Sequence, residues 1–171
     1  MKGYIQVYTG NGKGKTTAAL GLAVRAAGAG LRVFIGQFIK MGDYSEIKAL
    51  ARFSDLITVK QFGQGRFIKG KPSPEDMSSA ASGLKEIQER LLAGEFDVVI
   101  VEEGNVAVSV GLFSEKELLD LMDRKPPQVE MIITGRGALP SVIEKADLVT
   151  EMKEIKHYYH QGVVARVGIE K

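Results

Sequence analysis

Residues 9–17 read TGNGKGKTT, and they stand between a short β-rich run, YIQVYT at 4–9, and an alanine-rich run at helical spacing, TTAALGLAVRAAGAG at 16–30. A glycine-rich loop that leaves a strand and opens a helix is the context in which such loops cradle phosphate. Glycines let the backbone turn tightly enough to aim several N–H groups inward. The helix N-terminus adds its positive dipole end. Lys15 supplies a point charge for a bridging or terminal phosphate, and Thr16 a hydroxyl suited to Mg²⁺. Thr9, Gly10, Asn11, Gly12, Lys13, Gly14 and Thr17 complete the candidate nucleotide cradle. The loop is out of register with the usual pattern G-x-x-x-x-G-K-[ST], which calls for glycine at position 9. Thr9 stands there and the glycine is Gly10, so a shifted or tighter loop is expected. A dinucleotide fingerprint starting at Gly10 would need glycine at 15, where Lys15 stands. The bland alternative is a plain glycine-rich turn.

The rest of the chain alternates in the same way. Strands are expected at 32–39, 57–62, 97–102, 129–134, 147–152 and 163–170, and helices at 74–94, 114–124 and 139–146. Pro74 and two acids suit a helix start, and Ser114 with Glu117 forms a capping box. This order predicts an α/β, three-layer, P-loop NTPase-like fold: a mainly parallel sheet with helices on both faces. At 171 residues, with no repeat or domain-sized linker, residues 1–171 read as a single nucleotide-binding domain. The segment 63–76 is polar, rich in Gly and Pro, and reads as a long loop belonging to the site.

There are no cysteines, which excludes disulfides, thiolate metal sites and a cysteine nucleophile. No run approaches a membrane span and the N-terminus lacks an apolar signal region, so a soluble, cytoplasmic protein is expected. The net charge of +2 hides an asymmetry. The first 71 residues carry twelve Lys and Arg against three Asp and Glu; the remainder carries eleven against eighteen. A basic half fits a polyanionic partner, either a nucleotide phosphate or a nucleic acid.

In parallel sheets ligands collect at the carboxyl ends of the strands. DVVIVEEGN places Glu102 and Glu103 at the end of a buried strand as candidate Mg²⁺ ligands; Arg136, in TGR at 134–136, would emerge at the same edge to stabilise phosphate charge. Solvated acids and an ion-paired surface arginine are the competing readings. A phosphate loop by itself gives nucleotide binding and not a reaction.

Several segments together go further. TGNGKGKTTAALGLAVRAAGAG, VFIGQFIKMGDYSE, FGQGRFIKGKP, GEFDVVIVEEGNVAVSVGLF, IITGRGALPSVIEKADLVTEMKEIKH and GVVARVGIEK resemble, in order and wording, the P-loop corrinoid adenosyltransferases. The resemblance covers essentially the whole chain. It implies an ATP:cob(I)alamin or cob(I)yrinic acid a,c-diamide adenosyltransferase, serving cobalamin synthesis or salvage. In that reaction a Co(I) corrinoid attacks the 5′ carbon of ATP and triphosphate leaves. Members are described as holding ATP reversed relative to ordinary P-loop enzymes. Lys15, Thr16, Glu103 and Arg136 become the catalytic set. Thr16 and Glu103, with Glu102, are the metal set. Phe62 and Phe67 lie where the family places aromatic residues beside the corrin ring. The resemblance further implies a homodimer and an electron-donor protein that reduces the cobalt. No nucleic acid is expected.

The sequence departs from the family at three places. The usual Asp-Glu is Glu102-Glu103, Gly104 precedes Asn105, and Lys-His-Pro becomes Lys156-His157-Tyr158. The basic N-terminal extension of some members, and any lid it forms, is expected to be missing. His157 and His160 are not expected to ligate cobalt, since such a ligand opposes Co(I). Phe62 and Phe67 read equally as loop anchors. Two other functions stay open: a P-loop ATPase or phosphotransferase yielding ADP, and a non-catalytic nucleotide-binding partner.

Overall fold

Valine- and isoleucine-rich runs, apolar on both faces, call for a sheet that is covered on both sides. The computed structural model, which describes residues 2–65, 68 and 70–171, contains one. Six strands, β1 (Ile5–Thr9), β2 (Val33–Gln37), β3 (Ile57–Gln61), β4 (Val98–Glu102), β5 (Glu130–Thr134) and β6 (Leu148–Glu151), form a single sheet in the order β3-β2-β4-β5-β1-β6. Every pairing is parallel. All six strand ends therefore discharge their loops at one edge.

Side chains alternate across the sheet. Val98 and Ile100 of β4 join Val33 and Ile35 of β2 beneath α1 (Lys15–Gly28), whose alanines 19, 23, 26 and 27 form the buried stripe. Val99 and Val101 join Phe34, Met131 and Ile133 on the opposite face. That face is covered by α3 (Pro74–Leu92), α5 (Glu115–Asp123) and α6 (Pro140–Lys145). Along α3 the buried positions 76, 80, 83, 87 and 91 keep the three-four spacing of one helix stripe. The expected capping box at Ser114 and Glu117 is present, and α3 carries another built from Ser73 and Asp76.

Two short helices, α2 (Ser45–Leu50) and α4 (Gly104–Ser109), were not expected from the pattern, being too short to show a period. The loop expected at 63–76 ends earlier than predicted, because Pro74 already opens α3. The strand expected at 163–170 is absent. Residues 167–170 form a turn, closed by the Glu170 and Lys171 N–H groups on the Arg166 carbonyl and by the Arg166 guanidinium on the Glu170 carboxylate at 3.1 Å. Val164 and Val167 remain 77% and 78% exposed, so no second apolar layer exists to reward pairing.

Candidate active site

The first strand ends at Thr9, which still pairs with Glu151, and α1 begins at Lys15. Residue 9 is thus a strand residue, and the turn is made by Gly10–Gly14. That accounts for the shifted glycine. The loop lies against the exit of β6: the Gly12 N–H donates to the Met152 carbonyl at 2.6 Å and the Met152 N–H to the Thr9 carbonyl at 2.8 Å. A Cβ at Gly10, whose φ is 94°, would stand 2.5 Å from the Met152 carbonyl oxygen, and one at Gly12 2.7 Å from the same atom. Side chains at either position would push the loop off its support. Helices α3 and α5 are capped by side chains, whereas α1 starts at Gly14 with none. Its first-turn N–H groups are left for an anion.

Lys15 is buried, its ammonium folded onto the Gly12 carbonyl at 2.6 Å. Burial lowers its pKa, the Arg136 charge lowers it further, and the two glutamates oppose both. An ammonium so held gains by exchanging a carbonyl for phosphate oxygens.

The strand pattern carries past the apolar residues. Val33, Ile35 and Gln37 of β2 face α1, as do Val98, Ile100 and Glu102 of β4, and Gln37 and Glu102 are register partners. The last row of the α1 face is therefore polar. Gln61 donates to Gln37 at 2.7 Å and Gln37 to Glu102 Oε2 at 3.3 Å. The Thr16 hydroxyl donates to Glu102 Oε1. Glu102 is fully buried, with both oxygens engaged.

Glu103 would face away by alternation, but its backbone is left-handed, φ 59°, and turns it back over the edge. Its N–H donates to Thr134 Oγ1 at 2.9 Å. Burial, and then the adjoining Glu102 charge, raise its pKa to about 6, against the pull of Lys40 and Lys15. Lys40 stands between the acids, 3.5 Å from Glu102 and 3.9 Å from Glu103. Thr16, Glu102 and Glu103 thus converge on one point that a cation already occupies, and this donor set of hydroxyl and carboxylates fits Mg²⁺. Among the described residues no group of three His, Cys, Asp or Glu could hold a metal unaided. Further ligands would have to come from phosphate and water.

The other expected residues fall into place unevenly. The Thr9 hydroxyl accepts from the Ala138 N–H at 3.2 Å, tying the loop to the turn that carries exposed Arg136. Asn11 and Thr17 are exposed. Lys13 leans outward onto the Ile169 carbonyl at 2.9 Å, with Glu170 at 3.7 Å. Phe62 packs on Phe38, with ring centroids 5.6 Å apart, and against Gly83 of α3. Its free side lines a small cleft with Ile39, Gln64, Ile68 and Leu112. Phe67 lies outside the described residues. His157 accepts from the Tyr159 N–H at 3.1 Å and His160 pairs with Glu154 at 2.7 Å, so both rings already have protein partners. Gln37 and Lys40, within the segment VFIGQFIKMGDYSE that carries the resemblance, and Gln61 were assigned no role from the sequence. Continuing the odd-even parity of β2 and β3 to their ends would have found the two glutamines.

Comparison with known proteins decides among the possible phosphate-loop chemistries. The model of the ATP:corrinoid adenosyltransferase BtuR/CobO/CobP family matches residues 1–170. This chain belongs to that family. The corrinoid adenosyltransferase of Pseudomonas aeruginosa is 32% identical over 170 residues, covering 99% of this chain and 84% of the relative. That of Escherichia coli K12 is 34% identical, covering 99% and 86%. That of Salmonella typhimurium is 33% identical at the same coverage. ATP and a corrinoid are the family's substrates. No helix among the described residues is long and apolar enough to cross a membrane.

Proposed function

We propose that this adenosyltransferase binds Mg·ATP across the end of β4 and moves the 5′-deoxyadenosyl group to the Co(I) centre of a reduced corrinoid. The cobalt electron pair forms the Co–C5′ bond, the C5′–O bond breaks, and triphosphate leaves with the bonding electrons. The observation that carries the reading is the meeting of the phosphate loop with Thr16, Glu102 and Glu103 at a single cation position. Mg²⁺, when bound there, offsets charge on the departing triphosphate. Lys15, Arg136 and the uncapped start of α1 do the same work from the protein side. Lys13 joins them by leaving Ile169. No protein nucleophile is required, since the corrinoid supplies the reactive electrons and the protein orients it and excludes water.

Phe62, with Phe67, forms the corrinoid side, where apolar contacts would favour a cobalt without its lower ligand. We further read residues 1–171 as one nucleotide-binding domain, working in the cytoplasm as a homodimer and supplied with electrons by a separate reductase. The test is anaerobic incubation with Mg·ATP and chemically reduced cobalamin. A light-sensitive alkyl-cobalt spectrum with equimolar triphosphate is expected. ADP and phosphate in their place would overturn the reading.

A further inference from the structure

Only two non-glycine residues among the described ones have a left-handed backbone, Glu103 and Ile39, and Ile39 is the β-branched one, with φ 67°. A β-branched residue in that region is strained, and strain of this kind persists only where the surroundings impose it. The Lys40 N–H closes a three-residue turn on the Phe38 carbonyl at 2.6 Å, while the Phe38 N–H is held by the Glu102 carbonyl at 3.0 Å. The turn folds the chain back over the end of β4. It brings the Lys40 ammonium 3.4 Å from Thr16 Oγ1, 3.5 Å from Glu102 Oε1 and 3.9 Å from Glu103 Oε1. Those three groups are the ones assigned to Mg²⁺ above. Glu102 is fully buried, and two neighbouring carboxylates without a cation would be costly to keep charged. The Lys40 side chain is still 26% exposed, on a flexible stem, so it has a route out.

We propose that Lys40 is a positioning residue that serves as the resident cation of the metal site, holding Thr16, Glu102 and Glu103 together until Mg²⁺ arriving with ATP takes its place. The two cations compete for the same oxygens. Displacement leaves the ammonium free beside the incoming phosphates. The inference rests on the metal assignment made under the proposed function, but not on adenosyl transfer.

The test is Mn²⁺ binding to the nucleotide-free protein, followed by electron paramagnetic resonance, without corrinoid. Lys40→Met is expected to bind Mn²⁺ about tenfold more tightly than the unmodified protein, within the usual range of linked equilibria. Lys40→Arg, which keeps the competing charge, should stay close to the unmodified protein. Equal or weaker binding by Lys40→Met, or no binding by either protein, overturns the proposal. A merely structural lysine would lower stability without tightening the metal. Should Lys40→Met not fold, the unmodified protein gives a second measurement. Acylation of Lys40, read by mass spectrometry, should quicken several-fold when Mn²⁺ saturates the site; an unchanged rate overturns the proposal equally. Failure of the alkyl-cobalt assay with the Mn²⁺ competition intact would remove the proposed reaction and leave this inference standing.

Discussion

The two faces of the sheet meet the same edge with opposite chemistry. Toward α1 the last row is Gln61, Gln37 and Glu102, each bonded to the next and the last bonded to Thr16. Toward α3 the neighbouring positions are Phe38, Phe62 and Phe113, held by ring contacts at 5.6 and 5.0 Å and by the bare backbone of Gly83. Adjacent residues feed both faces: Gln37 turns to one and Phe38 to the other. A parallel strand can supply charge and apolar surface at the same height because its side chains alternate. The polar face is positioned by directional bonds, the apolar face by shape. An enzyme whose family takes ATP and a corrinoid as substrates can use both.

This contrast can be broken or sharpened experimentally. The largest effect is expected from Lys15→Ala, which should lower the transfer rate about 10²–10³-fold, as for loss of a group that stabilises developing charge. ATP binding, measured by calorimetry, should weaken too. Near-normal turnover would remove the phosphate loop from the mechanism. Glu102→Gln should weaken Mg²⁺ about 10–100-fold in a metal titration of the rate, because it also disturbs its hydrogen-bonded neighbours. Glu103→Gln should do less, since only Glu102 takes the Thr16 hydroxyl. A larger loss at Glu103 would invert the order.

On the other face, Gly83→Ala would place a Cβ 2.4 Å from Phe62 Cγ. Overpacking there should cost about 1–3 kcal/mol in a urea melt. It should raise the KM for corrinoid while leaving that for ATP near normal. Equal effects on both substrates would mean that the two faces are not separable.

Glu103 gives a pH signature. Its folded pKa of about 6 lies above its ordinary 4.5, so the folded state holds the proton more tightly. Below 4.5 the side chain is neutral in both states. Stability should then fall as pH rises through the window up to about 6, by at most about 2 kcal/mol. Glu103→Gln should therefore stabilise the metal-free protein at about pH 8 and change little below about pH 4. No gain at the higher pH would show that Lys40 and Lys15 already balance the charge. In the same window metal binding should weaken on acidification, since the ligand must lose its proton. The smallest effect is expected at Ser114→Ala, about 1 kcal/mol by thermal melt through loss of the α5 cap, with transfer unaffected.

The glycine-rich turn, most of the strand order along the chain and the capping box at Ser114 were legible in the sequence because each depends on a few neighbours. Glycines, a lysine and a threonine at fixed offsets fix the turn between β1 and α1. The strand expected at 163–170 failed because apolar content is not enough. It needs a free edge and a covering layer, and Arg166 bonds Glu170 in its own turn instead. The family resemblance puts Glu103 ahead of Glu102 as a metal candidate; strand parity brings Glu102 to Thr16, and a left-handed backbone returns Glu103 to the same edge.

By itself, then, the sequence determined that a glycine-rich turn sits at the carboxyl edge of a covered parallel sheet, because hydrophobic period and local turn chemistry are properties of short stretches. Only the tertiary structure decided which side chains share that edge. Thr16, Gln37, Lys40, Gln61, Glu102 and Glu103 come from six points spread over nearly ninety residues. Strand pairing and one strained turn bring them together, and neither is written in any local pattern.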